Sequence, residues 1–202
     1  MSKRQVSNPL ALAVLAWLST EPMHPYELGK RLQDTGKDRS IEYNRGSLYM
    51  VVKQLLRAGW IAEHETLKAP RRPERTVYAL TDAGRDELYA WIREWLGTPQ
   101  WEYPKFGVAL SLLSVLAPDQ AAALLDARRL ALQAQVAEVE ATLQQAQVDQ
   151  VPWIFLIEED YRLVQLRGEF DYVGRLADAL RQPGYAETWN AWKKSIDPAT
   201  PQ

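Results

Sequence analysis

Four polar side chains spaced every four residues are the clearest candidates for binding chemistry in this sequence. They are Arg45, Tyr49, Lys53 and Arg57, and this spacing places them on one face of a helix. The apolar residues of the same segment fall on another face: Leu48, Val52, Leu55 and Leu56. Guanidinium and ammonium groups bind phosphates and guanine edges. The segment therefore predicts a DNA-binding helix, and the alternative is an ordinary solvated amphipathic face.

The front of this predicted helix, which spans residues 45–58, is the part best placed to read bases. Recognition helices contact base edges mainly through their N-terminal residues. Arg45 and Ser47 are therefore the candidates, and Arg45 can bind a guanine through two hydrogen bonds. Asn44 is expected to cap the helix and to lie near the DNA. The residues further along are expected to hold phosphates or to stay in solvent: Tyr49, Lys53 and Arg57.

A second cationic cluster lies in the segment 68–75, which separates two predicted strands. It consists of Lys68, Arg71, Arg72 and Arg75. Four cations this close repel one another and add nothing to a core. At the tip of a hairpin they can enter the minor groove or line the phosphates, where counterion release favours binding. Two prolines keep the turn extended and hinder edge pairing, so we predict a DNA-binding wing.

Other kinds of chemistry find little support in the residue types. The chain has no cysteine and only two histidines, His24 and His64, which we expect to be structural or exposed. It also lacks a glycine-rich phosphate loop, so we predict no metal site, no cofactor and no enzyme activity. Trp91 and Trp95 lie one helical turn apart. They are expected in a core or a subunit interface, and the alternative is a flat slot for a planar aromatic effector.

The charge is divided unevenly along the chain. Residues 1–85 hold 14 Lys and Arg against 9 Asp and Glu, whereas residues 86–202 hold 10 against 17. A basic half joined to an acidic half suggests that only the first half meets a polyanion. No apolar segment is long enough to span a bilayer, so we expect a soluble, cytoplasmic protein without a membrane partner.

The order of predicted helices and strands in the first half of the chain is that of a winged helix. Helices are predicted at 9–18 and 25–35, with Tyr26, Leu28 and Leu32 as the buried stripe of the second. A very short strand is predicted at 40–43, and the helix 45–58 follows. Two strands come next at 60–67 and 76–80, and then a helix capped at Thr81. This order predicts an N-terminal winged helix-turn-helix domain over residues 1–97.

The second half, residues 98–202, is predicted to be helical, with helices at 103–116, 119–147 and 151–181. The tail from Pro183 is expected to be partly disordered or to pack against these helices. Two of these helices carry apolar residues at alternating steps of three and four: Leu132, Val136, Val139, Leu143 and Ala146, then Leu163, Leu166, Phe170, Val173, Ala177 and Leu180. We predict an antiparallel helical pair that docks on a second copy, which makes this a dimerisation domain. The alternative is a monomeric helical hairpin. The fold class is thus mainly α with a small β-wing.

These stretches resemble the PadR-like transcriptional regulators. The resemblance rests on five segments in the family's order: residues 10–18; 22–28; Gly46-Ser47-Leu48-Tyr49 with Leu55 and Gly59-Trp60-Ile61; 75–84; and 106–116. The long helical second half is similar to the subfamily that includes virulence activators. Pro25 stands where a glycine is common in the family, which fits the start of a helix.

The resemblance implies a homodimer that binds inverted repeats in double-stranded DNA, usually as a repressor, and that in some members is released by a small molecule. It also implies that Tyr26, Ser47 and Tyr49 lie near DNA and that the turn 71–75 forms the wing. We therefore expect a sequence-specific transcriptional regulator. The competing hypothesis is a helical protein-interaction scaffold without DNA contact.

Overall fold

The computed structural model describes residues 6–37, 40–67 and 75–196. The chain divides into two compact units, Met1–Trp101 and Glu102–Gln202, and each is considered by itself. The roles assigned to the two domains from the sequence, DNA binding before residue 98 and dimerisation after it, stay predictions.

The first unit is a winged helix, as the sequence predicts. Its elements are α1 (Pro9–Leu18), α2 (Pro25–Asp34), α3 (Arg45–Arg57), β1 (Ile61–Leu67), β2 (Arg75–Leu80) and α4 (Asp82–Gly97). The two strands pair antiparallel, with Ile61 opposite Leu80. Helix α1 is apolar on every side and lies at the centre of the core, where Leu10, Val14 and Leu15 are fully buried.

Short-range hydrogen bonds set the helix boundaries. Asn8 Oδ1 accepts from the N–H of Leu10 at 2.8 Å and caps α1, and Pro9 occupies the first helical position, where the missing N–H costs nothing. Helix α3 ends before Gly59, whose φ of +74° suits a residue without a Cβ. These caps agree with the signals in the sequence.

Two local expectations for this unit are wrong. Residues 40–43 form no strand, and the backbone of Tyr78 in β2 instead exchanges two 3.0 Å hydrogen bonds with Met23. Tyr26 does not belong to the buried stripe of α2: it is 57% exposed, while Leu28 and Leu32 are fully buried. Leu28 and Leu32 are four residues apart on one face, whereas a residue two positions earlier points to another side of a helix.

Helices joined by short turns make up the described part of the second unit, which contains no strand. It contains α5 (Lys105–Ser111), α6 (Pro118–Val148), α7 (Ile157–Leu180) and α8 (Pro183–Ile196), with 3₁₀ turns at Leu113–Val115 and Trp153–Phe155. Helix α5 is shorter than the predicted 103–116, and the second long helix begins at Ile157 rather than at 151. The predicted tail is a helix up to Ile196.

Helices α6 and α7 pack as the antiparallel pair that the heptad spacing predicts. Asp126 forms an ion pair with Arg181, and Glu140 pairs with Arg167 at 2.6 Å, so the two helices run in opposite directions. All of the seam residues are buried or half-buried. The buried ones are Leu132, Val139, Ala146, Leu163, Val173, Ala177 and Leu180, and the half-buried ones are Val136, Leu143, Leu166 and Phe170. Over the described ranges, no helix is both long and apolar enough to cross a membrane.

Candidate nucleic-acid interface

Helix α3 separates its apolar and polar faces sharply. Leu48, Val51, Val52 and Leu55 are buried in the core. The polar stripe predicted from the sequence is exposed along its whole length: Arg45, Tyr49, Lys53 and Arg57. No ion pair with another described residue engages the three cations of this stripe. The stripe therefore leaves its positive charges available to an external anion.

The first turn of α3 is locked by a reciprocal cap. Asn44 Oδ1 accepts from the N–H of Ser47 at 2.8 Å, and Ser47 Oγ accepts from the N–H of Asn44 at 2.9 Å. The Ser47 hydroxyl also donates to the carbonyl of Asn44 at 2.8 Å. Asn44 and Ser47 thus hold the helix start rigid, and Arg45 is the exposed cation at its front.

The start of α2 is capped by a histidine, which sequence reasoning did not foresee. His24 Nδ1 accepts from the N–H of Tyr26 at 3.0 Å, and the N–H of His24 donates to Glu27 Oε2 at 3.0 Å. The signal was present in the sequence as a residue with an acceptor followed three positions later by a glutamate. The exposed ring of Tyr26 extends from the turn that this cap fixes.

The wing is only partly within the described residues. Lys68, Arg71 and Arg72 lie outside them, and Arg75 is the exposed first residue of β2. The strand pairing shifts register between Glu63 and Glu65, as in a β-bulge, and bulges bend and twist a hairpin. Met23, which directly precedes His24, exchanges two backbone hydrogen bonds of 3.0 Å with Tyr78 of β2, so the base of the wing and the start of α2 are neighbours.

The surroundings of His24 make its contribution to the free energy of unfolding depend on pH. Burial lowers the pKa of His24 below its usual 6.5, and the charge of Arg75 lowers it further, while Glu27 opposes them. Protonation would also place a hydrogen on Nδ1, which could then no longer accept from Tyr26. The unfolded chain takes up this proton first as the pH falls. The stabilising contribution is therefore complete above pH 6.5 and declines as the pH falls from there toward the lower pKa of the folded state.

We expect His24→Asn to remove this part of the pH dependence, because asparagine caps helices without titrating. The measurement is the urea midpoint of both proteins at pH 7.5, 6.5 and 5.5. The wild type should lose more stability than the variant between pH 6.5 and 5.5. Parallel curves for the two proteins would show that His24 does not titrate differently on folding.

The two tryptophans of α4 differ in their surroundings. Trp91 is fully buried in the core, whereas Trp95 is 39% exposed. Their rings meet edge to face, with centroids 5.6 Å apart and planes at 90°. Trp91 therefore serves the core, and a planar molecule would find the exposed ring of Trp95 rather than a slot between two parallel rings. Within the described ranges, no group of three or more His, Asp or Glu side chains is arranged to hold a metal ion.

Comparison with known proteins matches the first unit to a family. The sequence model of the PadR-like transcriptional regulator family matches residues 14–90. A probable transcriptional regulator of Mycobacterium tuberculosis is 33% identical over 86 residues, which cover 41% of this chain and 42% of the relative. The chain thus spans less than half of the curated relative that it matches.

Solved structures share the fold of both units. Bacillus subtilis PadR in complex with operator DNA is similar with a TM-score of 0.69 at 16% identity, over 85% of this chain and 98% of that one. The same protein in complex with p-coumaric acid gives 0.66 at 15% identity, over 88% and 99%. A Streptococcus mutans protein gives 0.60 at 18% identity, over 84% and 98%.

Proposed function

We propose that this chain is a transcriptional regulator of the PadR-like family, whose sequence model matches residues 14–90, and that it binds double-stranded DNA through α3 to control transcription. The observation that carries the proposal is the exposed cationic stripe of α3 behind a rigidly capped first turn. A helix that buries one face in the core and offers arginine and lysine on the other is suited to the major groove.

Each polar residue has a proposed role in this interface. Arg45, at the front of α3, reads a guanine edge through two hydrogen bonds. Asn44 and Ser47 keep that front rigid. The remaining residues are proposed to contact phosphates or the minor groove: Tyr26, Tyr49, Lys53, Arg57, Lys68, Arg71, Arg72 and Arg75. Phosphate contacts position the protein on the duplex, and base contacts specify the sequence.

We further propose that the regulator is a homodimer. Helix α7 buries one stripe against α6 but exposes a second apolar stripe, in which Tyr161 is 62% and Val164 is 65% exposed. The same unit also exposes the large side chains of the turn between the two helices: Trp153, Ile154 and Phe155. Clustered exposed apolar side chains are typical of an interaction site, and a second copy with two-fold symmetry would bury them on both subunits.

Selection of bound fragments from genomic DNA by the purified full chain tests the function. We expect retention of a limited set of fragments, with a footprint of two symmetric half-sites whose centres are about one helical turn apart or a multiple of it. Sedimentation should give twice the chain mass of 23.1 kDa. If the protein binds no duplex at low ionic strength, the interaction scaffold replaces the DNA-binding regulator. A footprint without dyad symmetry would overturn the dimer.

We also propose that the regulator represses transcription and that a small effector releases it from DNA. A dimer that occupies an operator excludes other proteins from it, so we propose repression as the sign of regulation. The solved complex of Bacillus subtilis PadR with p-coumaric acid and the exposed ring of Trp95 support a planar aromatic effector, which would contact Trp95 beside the buried Trp91. Such an effector should release the selected duplex, and it should quench the fluorescence of wild-type protein more than that of a Trp95→Phe variant.

A further inference from the structure

Gly29, in the middle of α2, is the point where the segment leading into α3 touches the preceding helix. A Cβ on Gly29 would lie 2.7 Å from the hydroxyl oxygen of Tyr43 and 3.3 Å from a terminal methyl of Leu48. Glycine is unfavourable inside a helix. The close approach of these two side chains supplies the physical reason for a glycine at this position.

Both side chains that contact Gly29 belong to the start of α3. Tyr43 directly precedes the cap residue Asn44, and its half-buried ring packs against the core. Leu48 is the first fully buried residue of α3. Tyr43 and Leu48, one before and one after the first turn of α3, therefore both pack against the backbone of α2 at Gly29.

We propose that the contact between Gly29 and Tyr43 is a positioning contact, which sets where the first turn of α3 lies relative to α2 and thereby sets the base preference of Arg45. This inference rests on the proposed DNA-binding function. It assigns Gly29 and Tyr43 a part in sequence recognition although neither residue is required to touch DNA.

The displacement caused by a single added methyl group would be passed on to Arg45. The Tyr43 oxygen lies 2.7 Å from the Cβ position, and ordinary contact begins at 3.4 Å, so the Tyr43 ring and α2 must move apart by several tenths of an ångström. Tyr43 is bonded to Asn44, which is tied to Ser47 by the reciprocal cap. Hydrogen bonds to base edges depend on distance and angle, whereas attraction to phosphates tolerates small shifts. Base preference should therefore suffer more than binding to random duplex.

The test is a pair of variants, Gly29→Ala and Gly29→Ala with Tyr43→Phe. Phenylalanine removes the hydroxyl that meets the new methyl group, and the nearest remaining ring atom lies 3.5 Å from the Cβ position, which is ordinary contact. The control is Gly97→Ala, since a Cβ at the helical Gly97 meets nothing within 4 Å. Each full-length protein is titrated with the selected duplex and with random duplex, and its thermal unfolding is recorded.

We expect Gly29→Ala to lower the ratio of specific to random affinity by roughly 10-fold or more, because a good bidentate base contact is worth about that much discrimination. The added Tyr43→Phe should restore most of the ratio, and Gly97→Ala should leave it unchanged. Rescue by phenylalanine identifies the hydroxyl as the obstacle, even if Gly29→Ala alone lowers the unfolding temperature.

Two failures are distinguishable in this design. If the wild type binds no duplex, the proposed function is wrong and the positioning role fails with it. If the wild type binds specifically but Gly29→Ala keeps the wild-type ratio, or if Tyr43→Phe gives no rescue, only the positioning contact is wrong.

Discussion

Replacing Arg45, Lys53 and Arg57 together by alanine should weaken binding of the selected duplex by roughly 100-fold or more at moderate salt. Each lysine or arginine that neutralises a phosphate releases a counterion and contributes about 0.9 to the slope of log K against log salt. Loss of a guanine contact by Arg45 adds about 1–3 kcal/mol. The three side chains are exposed on one face of α3, so their removal leaves the core intact.

The measurement is fluorescence anisotropy of labelled duplex at several salt concentrations. A control replaces Arg85 and Arg93 by alanine, two exposed arginines of α4; it loses as much charge as the Lys53→Ala with Arg57→Ala variant and should bind like the wild type. The single variant Arg45→Ala should relax the preference at one base position, whereas Lys53→Ala with Arg57→Ala should flatten the salt slope by up to about two. Binding by the triple variant equal to that of the control would remove α3 from the interface and favour the scaffold hypothesis.

Gly84→Ala should destabilise the N-terminal unit by about 3 kcal/mol or more, because it forces atoms into a space that backbone already fills. A Cβ on Gly84 would lie 1.9 Å from the carbonyl oxygen of Trp60 and 2.8 Å from its carbonyl carbon. Main-chain atoms cannot rotate aside as a side chain can. The same carbonyl oxygen accepts from the N–H of Thr81 at 3.1 Å, which holds it in place.

The hydrogen bonds around Gly84 explain why α4 starts so close to Trp60. Thr81 Oγ1 accepts from the N–H of Gly84 at 3.0 Å and donates to the carbonyl of Gly59 at 2.7 Å. The cap of α4 is thereby fastened to the turn that follows α3. A shift of α4 would break both hydrogen bonds.

Urea unfolding of the full-length protein measures this effect as a lower midpoint. Gly97→Ala, at the other end of the same helix, serves as the control and should change the free energy of unfolding by no more than about 1 kcal/mol. A midpoint for Gly84→Ala equal to that of the control would contradict the close approach of α4 to Trp60.

Much of the fold follows from interactions between residues that are near each other in sequence. The four-residue spacing from Arg45 to Arg57 predicts the exposed face of α3. Asn44 predicts its cap, and Gly59 predicts its end. Local periodicity also predicts the pairing of α6 with α7, because each helix carries its own apolar seam.

Predictions from local sequence pattern fail where contacts between distant segments determine the structure. The alternation at residues 40–43 predicts a strand, but β2 takes its backbone partner from Met23, which precedes α2. Tyr26 looks like part of an apolar stripe until the packing of Leu28 and Leu32 settles which face of α2 is buried. The burial of Trp91 and the exposure of Trp95 also depend on what packs against α4.

Apart from the strand wrongly predicted at residues 40–43, the sequence by itself determined the order of helices and strands in the first unit, the polar face of α3 and the caps that begin and end it. Each of these depends on hydrogen bonds and periodicity within about one or two helical turns. Only the tertiary structure decided the contacts of Gly84 with Trp60 and of Gly29 with Tyr43, since these residues are separated in the chain and meet only when whole elements pack. A glycine shows in the sequence that a backbone can be approached closely, but the neighbour that approaches it is fixed by packing.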